Sequence, residues 1–328
     1  MTVRTPIIFN PTTQRLEELG VNETIAGTDI EWFMGRNRFI NGDLNWWQRR
    51  TTGRVGSGAG TIGASAYFAD RFVCAALNGS QDIARMGYYD VVSLGYPQNM
   101  FAVQRHTLSG ITSASGVWFG QMIEDIRRTH GQMTISFWAH ADQAGRSVGL
   151  RVIQQFGSGG SPSPSVSNEA GLVTLSTVPT RYSVTVNIPN IAGKTFGTNG
   201  DDSVYIVFDL CSTLYAATTG QSGTFYFTGF QIEAGSKATD FEWRHPALEL
   251  AMCQRYYEIS GGIATSDGAF FSTHYYKVAK RATPNLTVLS GNVAPATLNP
   301  RGNSGFFSMD GRATSSNAFT VAIDAEFP

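Results

Sequence analysis

Charge is scarce in this chain of 328 residues: only 15% are Asp, Glu, Lys or Arg, against about 25% in ordinary soluble proteins. With 24 basic and 25 acidic side chains the formal net charge is -1, which leaves no electrostatic footprint for nucleic acid or an anionic membrane. Cysteine is scarce too. Cys74, Cys211 and Cys253 lie far apart in apolar runs such as FVCAAL and FDLCSTL. Their odd number and spacing match neither a disulfide framework nor a zinc site, so they read as buried free thiols of a chain folded in a reducing cytoplasm. No apolar run approaches the length of a membrane span, and MTVRTPIIFNPTTQRLEEL lacks the charged start and apolar stretch of a secretory signal. A soluble protein is expected, with no membrane insertion.

Catalytic signatures are also missing. The sequence contains no GxSxG elbow, HExxH, Walker loop or GxGxxG. The five histidines, His106, His130, His140, His245 and His274, stand singly and read as surface or hydrogen-bonded residues. Carboxylate pairs for glycoside hydrolysis could be assembled only by the fold; Glu124 with Asp125, Asp201 with Asp202, and Glu233 near Asp240 offer no positive support. Asp201 and Asp202 follow GTNG and read as a solvated turn, with a calcium loop as the alternative. The expectation is a non-enzyme with no catalytic residue, metal or cofactor.

What is abundant is glycine, 36 residues, and aromatic rings at 12%, a composition that favours turns and strands. In MTISFWAHAD, Ile135, Phe137 and Ala139 alternate with Thr134, Ser136 and Trp138. RYSVTVNIPN alternates Tyr182, Val184, Val186 and Ile188 with polar residues, the period of half-buried strands. DSVYIVFDL and SGTFYFTGFQIE read alike, and many short strands between turns predict a sandwich. GQMIEDIRRTHGQ breaks the pattern as a short helix or a strand ending in a helical turn. GSGGSPSPSVSNEAG reads as a long mobile loop.

Four zones follow: an arm over 1–38, too short for its own core; a sandwich over 39–245; a helix over 246–260; and a small β unit over 261–328. The helix starts at Pro246 and carries Leu248, Met252 and Tyr256 at i, i+4 spacing, ending at SGG. Aromatic doublets recur at Trp46–Trp47, Tyr88–Tyr89, Tyr256–Tyr257, Phe270–Phe271, Tyr275–Tyr276 and Phe306–Phe307. On a strand such a doublet sends one ring into the core and one outward, where it can serve a subunit interface or stack on a sugar.

NRFINGDLNWWQR, YFADRF, GFQIEAGSKATDFEWR and ELAMCQRYYE, in that order, resemble motifs of the jelly-roll module, akin to carbohydrate-binding modules, in bacteriophage tail fibre and receptor-binding proteins. They cover residues 37 to 258. Leu44 and Phe72 replace the usual Phe and Trp, and Ala279–Lys280 replace a Met-Arg pair. The resemblance implies an all-β jelly-roll sandwich with an extended N-terminal arm, a connecting helix and a small C-terminal β domain. It implies a homotrimeric virion protein, made in the host cytoplasm, docked on tail or baseplate through residues 1–38 and binding host surface polysaccharide by avidity. A structural baseplate connector and a glycan-cutting tailspike are the alternatives.

Within that frame Gly42 is expected to permit a tight turn, Trp47 to close the core, and Arg71 to reach Glu233 or Glu242. Leu248, Met252 and Tyr256 are candidates for a trimer interface. Tyr275, Tyr276, Phe306 and Phe307 are candidate ligand-binding rings at a receptor-binding tip.

Overall fold

The computed structural model describes residues 7–10, 15–18, 35–264, 268–290, 293–303, 305–313 and 317–327. The chain divides into two compact units, residues 1–36 and 37–328. In the first, β1 (Ile7–Asn10) and β2 (Arg15–Glu18) pair antiparallel.

The second unit opens with β3 (Thr52–Gly56), β4 (Ser65–Tyr67), β5 (Val73–Leu77) and β6 (Ser80–Met86). After the short helix α1 (Tyr88–Ser93) come β7 (Val103–Ser109), β8 (Gly116–Glu124), β9 (Gly131–Ala141) and β10 (Ser147–Gln155). The set continues with β11 (Val166–Thr174), β12 (Thr180–Ile188), β13 (Ser203–Cys211) and β14 (Gly223–Ala234). One sheet has the order β11-β10-β13-β8-β5-β4 and the other β12-β9-β14-β7-β6-β3. All neighbours pair antiparallel and the chain passes repeatedly between the two sheets. The result is a jelly-roll β-sandwich in an all-β chain.

Alternation holds as expected in β12, where Val186 and Ile188 are buried and Ser183, Thr185 and Asn187 exposed. β9 departs from the half-buried expectation: Thr134 and Ser136 are buried along with Ile135, Phe137 and Ala139, because its outer face is covered too. The inward residues of both sheets form one continuous core. Its centre is phenylalanine: Phe72 and Phe230 have ring centroids 4.9 Å apart, Phe119 and Phe208 5.0 Å, Phe119 and Phe227 4.9 Å. Burying each such ring contributes roughly 1.5–3 kcal/mol. β13 is buried at all nine positions, because structure covers its outer face as well; Tyr215, for one, donates its hydroxyl hydrogen to the Leu150 carbonyl of β10 at 2.5 Å.

The ambiguous 120–132 segment resolves as β8 followed by a helical turn at Ile126–Arg128, capped by the Asp125 carboxylate. The segment expected as one long loop is half strand, since β11 begins at Val166. Cys74, Cys211 and Cys253 are free and buried.

Helix α2 (Pro246–Gln254) begins where Pro246 places it, with His245 Nδ1 accepting from Ala247 N. It stops well before SGG. Arg255 and Tyr256 turn the chain, and β15 (Tyr257–Ala264) starts at once. Then follow β16 (Gly268–Tyr275), β17 (Asn285–Ser290), β18 (Val293–Arg301), β19 (Phe306–Ala313) and β20 (Asn317–Asp324). They form two three-stranded sheets, β15-β20-β17 and β16-β19-β18, around a small core of Tyr276, Phe307, Phe319, Val321 and Ile323. Among the described residues no helix is long and apolar enough to cross a membrane.

Candidate functional site

The four motifs meet in one hydrogen-bonded knot. Asn41 adopts a left-handed φ of 60° that few residues tolerate. Its side chain donates to the carbonyls of Trp46 (2.9 Å) and Asp70 (3.0 Å) and accepts from Trp46 N (2.9 Å). Its backbone N–H donates to Glu249 of α2. Both Asp70 oxygens accept from Gln48, at 2.8 Å from its backbone N and 2.6 Å from Nε2. Burial pushes the Asp70 carboxyl up, against the pull of those Gln48 bonds. Glu233 accepts from Thr239 and Gln231 at 2.6–2.9 Å.

Gly42 is required for closeness rather than for a turn conformation: a Cβ there would overlap the Phe230 carbonyl oxygen. At that place β14 bulges between Thr228 and Gln231, with Gly229 at φ 63°. Trp47 packs against the core only half-buried, its indole N–H on the Leu44 carbonyl at 2.6 Å.

Arg71 does not reach Glu233 or Glu242. Glu233 is taken by Thr239 and Gln231, and Glu242 accepts from Asn37 N at 2.5 Å. Arg71 turns instead to Glu326 near the far end of the chain and to the Met122 carbonyl (2.5 Å), its guanidinium 3.4 Å from the Tyr256 ring centroid. Arg49 repeats the arrangement, 3.6 Å over Tyr257 and 3.4 Å from Glu326. The knot therefore fastens the sandwich to the C-terminal sheets, and its aromatic rings are occupied by arginines.

This placement decides the fate of several predicted site residues. Tyr256 is buried under Arg71 and shares no stripe with Leu248, which is 50% exposed, or Met252, which is half-buried. At the tip, strand pairing sets Tyr275 opposite Phe306 and His274 opposite Phe307. Opposite residues share a face and successive ones alternate. Tyr275 is accordingly 75% exposed, with Phe306 half-buried beside it at 5.7 Å between centroids. Phe307 at 0% and Tyr276 at 9% are core, out of reach of a ligand. The side chains of the Phe270–Phe271 doublet lie outside what the structure describes. Asp202 is buried and accepts from Ile126 N and Arg127, while Asp201 accepts from Ser158 at 2.5–2.7 Å. The described residues contain no His, Cys, Asp or Glu group suited to a metal.

A surface that the sequence did not announce is the outer face of the second sheet. Register aligns Thr52, Ala84, Arg105, Tyr226 and His140 in a row across five strands, with Arg54, Asp82, Thr107 and Thr224 in the next. Between Thr52 and Arg105 the small Ala84 leaves a hollow of about 460 Å³, walled by Arg54, Asp82 and Arg105 and rimmed by Gly60. Arg54 and Asp82 form a two-point ion pair at 2.7 and 2.8 Å, which raises the Arg54 pKa. Arg105 makes no ion pair among the described residues, and its Nε is buried with no hydrogen-bond partner. Farther along, the Tyr226 and His140 rings stack in parallel at 4.3 Å. His140 Nδ1 meets the Tyr96 hydroxyl at 2.8 Å, and burial drops its pKa to about 4, leaving it neutral. The segment carrying α1 packs over Trp138 and Tyr226 through Tyr96 and Met100, so the open part of this face is the hollow. The arrangement can accept hydroxyl donors on Asp82, present a guanidinium to an anion and offer an apolar flank.

No protein-family model matches the chain, and no curated protein matches it by sequence. Partial structural overlaps exist. The enzymatically active domain of tailspike protein 4 of bacteriophage CBA120 superposes at TM-score 0.33 and 12% identity, over 60% of this chain and 21% of that one. The match thus spans about a fifth of that tailspike domain's length. A family 11 carbohydrate-binding module from Clostridium thermocellum overlaps at TM-score 0.30 and 12% identity, covering 52% of this chain and 91% of the module. A xylan-binding domain from Paenibacillus barcinonensis does so at 0.29 and 12%, covering 47% and 88%.

Proposed function

We propose that the protein is a receptor-binding fibre protein of a bacteriophage tail that binds bacterial surface polysaccharide without cleaving it. In this reading residues 1–38 dock on tail or baseplate, three copies associate, and weak sites add up through avidity on the particle. The assembled virion is its place of action and the host cytoplasm its place of synthesis. The ordered motifs support the phage assignment. The glycan half rests on one observation, the hollow beside Arg105: an open concavity lined by the Arg54–Asp82 ion pair, a second arginine, the Thr52 hydroxyl and small apolar residues, on strands of the sandwich.

The test is a glycan array of bacterial capsule and lipopolysaccharide fragments probed with purified protein, with light-scattering mass compared against the 35.5 kDa chain. Binding by a trimer is expected, with no new reducing ends after long incubation. New reducing ends would mean a depolymerase, and a chain that binds no glycan would be a structural connector.

A further inference from the structure

We propose that the hollow at Arg105 is a subsite for a carboxylated sugar, so that the ligand is an acidic glycan of the uronic or sialic acid kind. The inference rests on the glycan-binding reading above and narrows it.

The first argument is the position of Arg105. Arg54 has a carboxylate partner, since Asp82 holds its fork from the opposite strand. Arg105 lines the same hollow and makes no ion pair among the described residues, so its charge is open to an anion from outside. A planar carboxylate is the ligand group whose two oxygens match two parallel guanidinium N–H bonds.

The second argument is net charge. Arg54 and Arg105 against Asp82 leave one positive charge in the walls, which suits one singly charged anion and is poor for a doubly charged phosphate. The third is the rest of the lining. Each Asp82 oxygen accepts one bond from Arg54 and keeps a lone pair for a sugar hydroxyl, and Thr52 stands beside it across Ala84. Ala59, Ile83 and Ala84 supply the apolar part of the lining. The volume is that of a small-ligand site.

The experiment titrates the full-length protein with oligogalacturonate, polysialic acid and alginate oligomers, with carboxyl-reduced forms of the first and last, and with neutral dextran and cellulose oligomers. Arg105→Gln and Ala84→Trp are the variants, the second filling the hollow from its floor without touching a charge. The expectation is binding to at least one acidic probe that weakens with salt and disappears on carboxyl reduction, or on desialylation in the case of polysialic acid. Arg105→Gln should weaken it about 10- to 100-fold, the range of a charge-assisted hydrogen bond, and Ala84→Trp should abolish it, both with unchanged melting temperature. Equal binding to reduced or neutral probes, or acidic binding indifferent to both variants, overturns the carboxylate subsite and leaves the glycan reading standing. Failure to bind any probe, acidic or neutral, sinks both.

Discussion

Replacing Glu326 by Ala should destabilise the protein far more than its position near the end of the chain suggests. Glu326 and Arg71 are 4% and 1% exposed in their side chains. Removing one member of a buried pair leaves an uncompensated charge, at a cost of about 3–5 kcal/mol. Arg71 keeps the Met122 carbonyl and the face of Tyr256, and Arg49 keeps Asp324 at 3.1 Å. These residual partners place the expected loss near the lower end, about 3 kcal/mol. Replacing both partners, Arg71→Met with Glu326→Leu, removes the charge together with its solvation demand. That double variant should therefore be more stable than Glu326→Ala alone, by about 1–2 kcal/mol after the lost cation–π contact is counted. Urea unfolding followed by tryptophan fluorescence measures all three. A Glu326→Ala loss below about 1 kcal/mol, the range of an exposed pair, would refute the argument. So would a double variant less stable than the single one.

Other consequences are as direct. Phe307→Ala should cost about 3–5 kcal/mol by opening a cavity, whereas Tyr275→Ala should stay within about 0.5 kcal/mol; comparable losses in thermal melting would contradict the assigned faces. Gly42→Ala should destabilise the sandwich measurably in urea, because the Phe230 carbonyl must move; unchanged stability would show that the bulge yields freely. Stability should fall on acidification from pH 7 to 5. Burial holds His106 down to about 3, against about 6.5 when unfolded, so below 6.5 the unfolded chain binds the extra proton; the loss is about 2 kcal/mol by pH 5. His140, held down to about 4, acts in the same direction, while Asp43, pushed up to about 6 by burial and by Glu249, offsets about 1 kcal/mol. A flat profile would show that His106 charges within the fold, which NMR of its ring nitrogens would reveal directly.

The strands were legible wherever one face was wet, because alternation of Val184, Val186 and Ile188 with the exposed Ser183, Thr185 and Asn187 has a single reading; that both faces of β9 are covered was not legible. The start of α2 was legible as well, since Pro246 can stand at a first helical position at no cost in hydrogen bonds. Its end was not. Leu248, Met252 and Tyr256 have helical spacing, but the terminus is set from far away: Arg71 takes the face of Tyr256 and Arg49 that of Tyr257, and each arginine is some 200 residues distant in sequence. The partner of Arg71 was missed for the same reason, because Glu326 lies 255 positions away and no local pattern announces it.

The hollow was invisible for a related cause. Its row joins Thr52, Ala84, Arg105 and Tyr226 across four strands, and each residue by itself is unremarkable on a sheet surface. Only register makes Ala84 a gap and Arg105 an unmatched charge. The buried network behind it obeys the same logic. Gln81 gives its amide hydrogens to the carbonyls of Ala75 (2.8 Å) and Trp118 (3.0 Å), so its oxygen must accept from His106 Nδ1 at 2.9 Å. His106 Nε2 is then left to accept from Gln104 at 3.0 Å. That chain of assignments fixes a neutral tautomer between the two sheets and leaves Gln104 Oε1 without a partner. Protonating His106 would require the Gln104 amide to turn over and present that oxygen, which would cost the bond it now donates to Cys74. Rigidity here follows from exhausted hydrogen-bonding choices, and it holds β6 and β7, the strands that carry Asp82, Ala84 and Arg105, in fixed register beneath the hollow.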